Sequence, residues 1–512
     1  GDCGVQSNCV AIDPVETEFG RKRRINQSAC NKDFSCLKGF CPSFVTVRGG
    51  KLKKRAPAER PDLSAIPSPA LPDLSRPWNI AVTGVGGTGV LTIGALIGMA
   101  AHLENKNPLI MDMAGLAQKG GAVLSHIRIA APDQSVRSPR IANGGADVLI
   151  AADSVVAASK DGITLCDNGR TKTVLNAKVT PVSDFIRARD FDFKAAAVER
   201  TVEKASGSKE HFHNFSEIAL AVAGDEIAAN VMMLGYAWQN GLVPVGLEAL
   251  ETAIQMNGVA VQANLDAFAW GRILAHDPET VRANISLETA VKPQEQLSLD
   301  DLIAHRVKHL TAYQNASLAK RYTDLLDRVA AAVDGSPRAD EIKMTVARNY
   351  AKLLSYKDEY EVARLFCAPA FREALEEQFE GDYRIALNLA PPMLPGKAPN
   401  GRPRKREFGP WMLRAFKLLT HMKGLRGTAL DIFGHTAERR HERAMISDYE
   451  ADIDLALNTN ADAGVILALL TAPDAVRGFG PVKEEAMAAY RERRAELRAA
   501  LTKKTAADIA AE

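Results

Sequence analysis

The segment TGVGGTGV, Thr83 to Val90, constrains the fold more than any other stretch of the chain. The residues NIAVTG read as a buried strand, and TGVLTIGALIGMAAHL after them reads as a helix. A glycine turn that joins a strand to a helix opens an α/β unit. Its successive backbone N–H groups and the helix N-terminus suit a phosphate. Gly84, Gly86 and Gly89 carry the G-x-G-x-x-G spacing of dinucleotide sites, and Asp112 ends the next strand about 20 residues on, where an acid binds a ribose hydroxyl. A turn that merely packs a helix on a sheet has the same form, so both readings stay open. Gly94 and Gly98 repeat the GxxxG spacing of membrane dimers. Small residues also let a helix lie close on a sheet, and a buried helix in a soluble protein is the expectation here.

Further strands are expected at PLIMDM (108–113), DVLIAA (147–152) and TLCDNG (164–169), which alternate with helix. The fold class expected for residues 77–278 is therefore α/β, a gamma-like domain with a mostly parallel sheet. A second glycine patch, QKGGAV, puts Lys119, Gly120 and Gly121 where a loop can approach a second phosphate, a plain turn being the other reading. Helical segments are expected around Asp225 to Trp238 and Val245 to Met256. Over 290–512 the strand signal fades. Tyr322, Leu325, Leu326, Val329 and Val333 repeat at helix spacing, as do Met487, Tyr490, Leu497 and Leu501, so a helical C-terminal domain is expected. Ser298 and Asp301 form a capping box at its start, and residues 391–411 read as a long loop.

Five of the seven cysteines, Cys3, Cys9, Cys30, Cys36 and Cys41, fall in the first 41 residues. They define a ferredoxin-like module over 1–56, truncated at its start, and a Pro-rich linker follows over 57–76. In a reducing compartment such a cluster argues for zinc or iron–sulfur over disulfides, since soft thiolates select both, with free or merely structural thiols as the remaining reading. Zinc favours short CxxC knuckles, which are absent, whereas the Cys41-Pro42 ending is a feature of bacterial ferredoxins. Iron–sulfur, as [4Fe-4S], is the expectation, with Cys166 and Cys367 as ordinary buried thiols. A full cluster motif would open C-x2-C-x2-C. The start at Gly1, with no signal peptide, is expected to be a cut through a longer polypeptide that holds the remaining ligands. A net charge of +2 over 512 residues is too near balance for nucleic-acid or membrane-surface binding as the main role.

Three stretches together resemble the 2-oxoacid:ferredoxin oxidoreductase family. GVGGTGVLTIGALIGMAA with MDMAGLAQKGGAVLSHIRIA resembles its gamma-type domain, and NVMMLGYAWQNGLVPVGLEALETAI with NLDAFAWGR resembles the end of that domain. GDCGVQSNCVAIDPVETEFGRKRRINQSACNKDFSCLKGFCPSF is similar to the cluster-binding segment that precedes it in fused indolepyruvate ferredoxin oxidoreductases. The resemblance implies a cytoplasmic oxidoreductase that decarboxylates indolepyruvate or related arylpyruvates with CoA, giving aryl-acetyl-CoA and CO2 and reducing ferredoxin. It implies [4Fe-4S] clusters on Cys3, Cys9, Cys30, Cys36 and Cys41. It also implies that Gly84, Gly86, Gly87, Thr88 and Gly89, with Lys119, Gly120 and Gly121, face the active site and the CoA diphosphate. Thiamine diphosphate with Mg is expected upstream, because no GDG with a distant NN pair occurs here. The implied partners are ferredoxin, the thiamine-binding domains and a second copy in a homodimer of the full-length chain, with no nucleic acid and no membrane. This part alone is expected to be inactive, and no catalytic residue is assigned to it. Asp112 then becomes a strand-end residue of an interface.

Two other classes fit the residues: an NAD- or FAD-dependent electron-transfer subunit with a ferredoxin module, and a non-catalytic assembly subunit. His305 and His309 have the i, i+4 spacing of zinc ligands but lack a glutamate between them, and a solvated helix face is expected. His211 and His213 read as a polar surface loop. The run Arg402 to Arg406 reads as a solvated loop, with docking of an acidic ferredoxin as its functional alternative.

Overall fold

Branched and small apolar residues alternate through Trp78–Val85, and this strand becomes the centre of the largest sheet. The computed structural model describes all residues except 1, 8, 10, 54–57, 59–61, 116–120, 179–191, 286–292, 337, 392, 393, 395, 399–401, 460 and 510–512, and it leaves out the side chains of 5 and 502–509. Along the chain the described strands are β1 (Ile12–Val15), β2 (Lys22–Ile25), β3 (Val45–Arg48), β4 (Lys51–Leu52), β5 (Trp78–Val85), β6 (Asn107–Ala114) and β7 (Ala122–Ala130). They continue with β8 (Val148–Ala151), β9 (Lys172–Asn176), β10 (Phe212–His213), β11 (Phe379–Glu380), β12 (Arg384–Leu389) and β13 (Arg406–Phe408).

Six of them form one sheet in the order β10-β9-β8-β5-β7-β6. The β5, β8, β9 and β10 pairings are parallel, while β7 runs antiparallel to both β5 and β6. The sheet is thus mixed: β7 alone opposes the common direction. Ile80, Val82, Ile127, Ile129, Val148, Ile150 and Val174 face a core built with the helices Val90–Leu103, Ala229–Gln239, Leu247–Asn257 and Val261–His276. Ala81, Leu124, Leu149, Ala151 and Leu175 face a smaller core with Val156, Leu165 and Val202. Both faces are covered, so the central strands read as continuous apolar runs.

The expected strand at TLCDNG is not there. Asp167 accepts from the N–H groups of Gly169 (side chain, 2.9 Å) and Thr171 (backbone, 2.8 Å), which makes the segment a turn, and the strand follows it as β9. Gly94 and Gly98 do what a helix on a sheet requires: a Cβ at Gly94 would stand 2.8 Å from Ser125 Oγ, and one at Gly98 2.2 Å from Ile110 Cδ1. Among the described residues no helix is long and apolar enough to cross a membrane.

Beyond residue 298, helices Leu299–Tyr313, Ala316–Ala332, Ala339–Leu354 and Ala437–Leu457 share a core in which Tyr322, Tyr350 and Tyr449 stack at 6.1 and 6.5 Å. Ser298 Oγ caps the first of them, accepting from the Asp301 N–H at 3.1 Å. The cysteine-bearing segment is woven into this region. β3 pairs with β12 and β4 with β11, both antiparallel, and β13 lies on the other side of β12. Part of the stretch expected as a long loop is therefore strand.

Candidate functional site

At the end of β5 the Gly86 N–H donates to Gly121 O at 2.8 Å, and the Thr88 N–H and hydroxyl donate to Val85 O at 3.1 and 2.8 Å. These bonds fix the turn and bring the two glycine patches together. Lys119 and Gly120 lie outside the described residues, while Gly121 holds the turn through its carbonyl. Among the described residues the N–H groups of Gly87, Gly89 and the first turn of helix Val90–Leu103 have no backbone acceptor, as helix N-termini leave them. Gly87 has φ +97° and open space where a Cβ would point. Gly89 has φ +81°, and there a Cβ would stand 1.8 Å from Nδ2 of the buried Asn230. The turn is therefore open on its Gly87 side and closed by Asn230 on the other.

This open side lies at the carboxyl ends of β5 and β8, where the chain leaves β5 toward β6 and leaves β8 toward β9, the position at which α/β sheets bind ligands. Across the crevice Asp153 caps the Val156 N–H at 2.8 Å, and Asn176 donates to Ala152 O at 3.3 Å and Ser216 Oγ at 2.9 Å. The Thr83 hydroxyl and Asp153 Oδ2 are buried with no hydrogen-bond partner among the described residues. Asp112 is elsewhere. It is exposed on edge strand β6, and β7 separates β6 from β5, so it stands two strands from the turn, about 10 Å at ordinary strand spacing. It does not sit where an acid would reach the ribose of a dinucleotide on this turn.

All five N-terminal cysteines line one cleft of about 2430 Å³ bounded by their own segment, the helical region and, at Leu220 and Gly224 to Glu226, the α/β region. Burial pushes the Cys36 thiol up, and Cys9, Cys30 and Cys3, which lie within electrostatic reach of it, push it the same way. Among the described residues no group of three or more His, Cys, Asp or Glu side chains closes tightly enough to grip a single metal ion. For Cys41, burial raises the thiol, but Lys357 and hydrogen bonds with Ser43 outweigh it and leave it below the usual thiol range. The Lys32 N–H reaches Cys30 Sγ at 3.4 Å.

The run Arg402 to Arg406 is solvated in part: Pro403, Arg404 and Arg406 are exposed, whereas Arg402 and Lys405 are half-buried. Arg402 pairs with Asp2, and the Lys405 ammonium donates to the carbonyls of Leu37, Gly39 and Cys41 at 3.3, 2.8 and 3.1 Å. Burial pulls Lys405 down, while Cys41, Asp2, Cys36 and Cys3 pull it back up.

Residues 79–274 match the family model described as pyruvate ferredoxin/flavodoxin oxidoreductase. Over 199 residues the chain is 33% identical to the indolepyruvate oxidoreductase subunit IorB of Archaeoglobus fulgidus, which is 38% of this chain and 92% of that one. The chain belongs to the 2-oxoacid:ferredoxin oxidoreductase family. Another member of the family, the IorB subunit of Methanothermobacter thermautotrophicus, is 31% identical over 196 residues, 38% of this chain and 95% of that one. Among solved structures, pyruvate oxidoreductase subunit PORC from Thermotoga maritima is 22% identical, covers 39% of this chain and 96% of its own, and superposes with a TM-score of 0.28. Residues 299–496 match a second model, a family of unknown function (DUF6537). The whole glycine turn lies inside the oxidoreductase match, and the five N-terminal cysteines lie outside both matches.

The structure also places residues that periodicity and motifs did not single out. Phe19 is clasped by His305 and His309, with ring centroids at 5.0 and 4.8 Å, and the Arg306 guanidinium lies 4.4 Å from its ring. These histidines are half-buried rather than a solvated face, and they hold the cysteine segment to the helical region. His211 and His213 are half-buried and bracket the Tyr236 hydroxyl at 3.2 and 3.0 Å, so they are not a surface loop. Burial lowers both imidazoles and pushes Tyr236 up to about 12. Cys166 is half-buried with its thiol raised to about 11 by burial, whereas Cys367 is exposed, contrary to expectation. For Lys405, a lysine within a basic run beside Pro403 was the only signal in the sequence.

Proposed function

We propose that the chain is the gamma-like and electron-transfer portion of an arylpyruvate:ferredoxin oxidoreductase, which converts indolepyruvate or a related 2-oxoacid and CoA to aryl-acetyl-CoA and CO2 and reduces ferredoxin. The observation that carries this reading is the open turn at Gly86 to Gly89, within a region related to indolepyruvate oxidoreductase subunits over 92% and 95% of their length. The free N–H groups of Gly87 and Gly89 and of the first helical turn bind the CoA diphosphate, and the helix N-terminus adds about half a positive charge. Asn230 holds Gly89 from behind, so the backbone donors stay aimed at the crevice. Lys119, next to the second glycine patch, supplies a full charge to the same phosphates.

The cysteines that line one cleft suit a polynuclear core better than zinc, because soft thiolates select iron–sulfur and the short CxxC knuckle that zinc favours does not occur among them. We assign Cys3, Cys9, Cys30 and Cys36 to one [4Fe-4S] core and Cys41 to a neighbouring one, as a Cys-Pro cysteine is used in bacterial ferredoxins. Bound clusters supply one-electron transfer to ferredoxin, and thiamine diphosphate with Mg, held in upstream domains, supplies the electron sink for decarboxylation. The residues of this chain hold CoA, line the electron path and exclude water from it. The reading includes a cytoplasmic homodimer of the full-length chain. The nicotinamide alternative loses its acid, since Asp112 is two strands away from the turn.

The test is an anaerobic assay of the full-length enzyme with viologen dye, CoA and a panel of 2-oxoacids. Indolepyruvate and phenylpyruvate should exceed pyruvate at least tenfold in kcat/KM, and Lys119→Ala should raise KM for CoA about tenfold, the loss of one charge-assisted contact of about 1.4 kcal/mol. Preference for pyruvate, or reduction of NAD in place of the dye, would overturn it.

A further inference from the structure

The helical region carries a lysine whose placement has no structural need that a neutral donor could not meet in part. All three N–H groups of the Lys405 ammonium are spent on the carbonyls of Leu37, Gly39 and Cys41. Those carbonyls belong to the turn that separates Cys36 from Cys41. The charge also lies within electrostatic reach of the thiols of Cys41, Cys36 and Cys3. Arg402, from the same run, pairs with Asp2, whose other oxygen accepts the Phe40 N–H at 2.8 Å. Gly39 packs against the Cys3 backbone so tightly that a Cβ would stand 2.7 Å from its Cα. Two cations of the helical region thus hold the backbone that carries the thiols, Arg402 through Asp2 beside Cys3 and Lys405 through the turn from Leu37 to Cys41.

We infer that Lys405 is a positioning residue that sets the reduction potential of the iron–sulfur centre, which gives the helical region of residues 299–496 a role as the electrostatic wall of the electron path. The inference rests on the cluster reading above. Reduction adds one electron to the cluster, and a fixed positive charge beside it stabilises the reduced form; hydrogen bonds, net charge and solvent exposure are the levers by which protein tunes such centres. Three N–H donors bound to carbonyls of the ligand turn also hold the ligand spacing while the charge on the cluster changes.

The test uses the full-length enzyme, purified anaerobically, with cluster content read from absorption near 400 nm and the midpoint potential from redox titration followed by electron paramagnetic resonance. In Lys405→Met and Lys405→Gln the reduced form should lose about tenfold in its equilibrium with the oxidised form, a fall of about 59 mV for a one-electron couple. Lys405→Arg keeps the charge and should stay near the wild-type potential. Loaded neutral variants with the wild-type potential would overturn the inference. So would loss of the cluster from both neutral variants while the fold persists, since that reduces Lys405 to a merely structural part. If the wild-type enzyme itself holds no cluster, the cluster reading has failed, and this result is distinguishable from the other two because it appears before any substitution is made.

Discussion

Gly89→Ala should be among the most damaging single-methyl additions in the α/β region, and the structure separates its cost into two parts. The first is backbone: at φ +81° an alanine occupies left-handed space at about 1–2 kcal/mol. The second is steric: the new Cβ would stand 1.8 Å from Nδ2 of the buried Asn230, whose own Oδ1 accepts the Val231 N–H at 2.6 Å. Moving that side chain is an overpacking event of about 1–3 kcal/mol. The sum is about 2–5 kcal/mol. Gly87→Ala supplies the internal control, because its φ is +97° but nothing lies within 4 Å of the Cβ position, so only the backbone cost of about 1–2 kcal/mol applies. The assay is urea unfolding followed by the fluorescence of Trp78, Trp238 and Trp270, which all belong to this region. In Gly89→Ala with Asn230→Ala the steric part should vanish, leaving a coupling of about 1–3 kcal/mol between the two positions. Gly89→Ala no worse than Gly87→Ala, or additive effects in the double variant, would refute the reasoning.

Arg426 and Asp358 form an ion pair at 2.6 Å, 3% exposed on both sides, and Arg426 also donates to Tyr313 O at 2.8 Å. Arg426→Met should cost about 3–5 kcal/mol by stranding a buried carboxylate; thermal unfolding followed by circular dichroism would show it, and a loss under 1 kcal/mol would count against the pair. His309 is lowered to about 4, first by burial and then by Arg364, Arg306 and His305. The unfolded chain binds its proton near pH 6.5, so the stability from neutral His309 is full above that pH and falls as pH drops toward 4, with a slope of at most about 1.4 kcal/mol per unit. His309→Gln should flatten that limb, and an unchanged slope would remove His309 as its source.

What could be read from the sequence was local. The strand–turn–helix around Gly84 to Gly89 was legible because glycine spacing, the apolar run before it and the helix periodicity after it agree over neighbouring residues. β7 was not legible, because Ser125 and His126 break its apolar pattern although both are buried, 1% and 2% exposed. Missing it hides the antiparallel pairing that separates β6 from β5 and so decides the fate of Asp112. The TLCDNG segment misled because its apolar residues are few, and the Asp167-Asn168-Gly169 turn signal was the stronger feature. His305 and His309 looked solvated because their partner, Phe19, lies nearly 290 residues away in sequence. Lys405 was hidden for the same reason: a lysine among arginines shows no sign of the carbonyls of residues 37, 39 and 41.

Those long-range contacts bear on why a cysteine segment and a helical region are found in one chain. Among the described residues the segment's own buried cluster contains only Cys3 and Ile12, with Cys9, Cys36, Phe44 and Phe193 packed partly against it, and so small a core does not hold a defined fold in water without added supports. Its supports come from elsewhere. β3 and β4 borrow β12 and β11, Phe40 stacks on Phe479 at 6.1 Å, Lys357 donates to Ser43 Oγ at 2.9 Å, and Arg306 carries Phe19. Each of these residues on the far side lies in or beside the helical region, so the spacing of the thiols is set by a part of the chain that contributes no thiol to them. A substitution at Arg306 or Phe479 therefore perturbs the thiol array from a distance, through the backbone it braces.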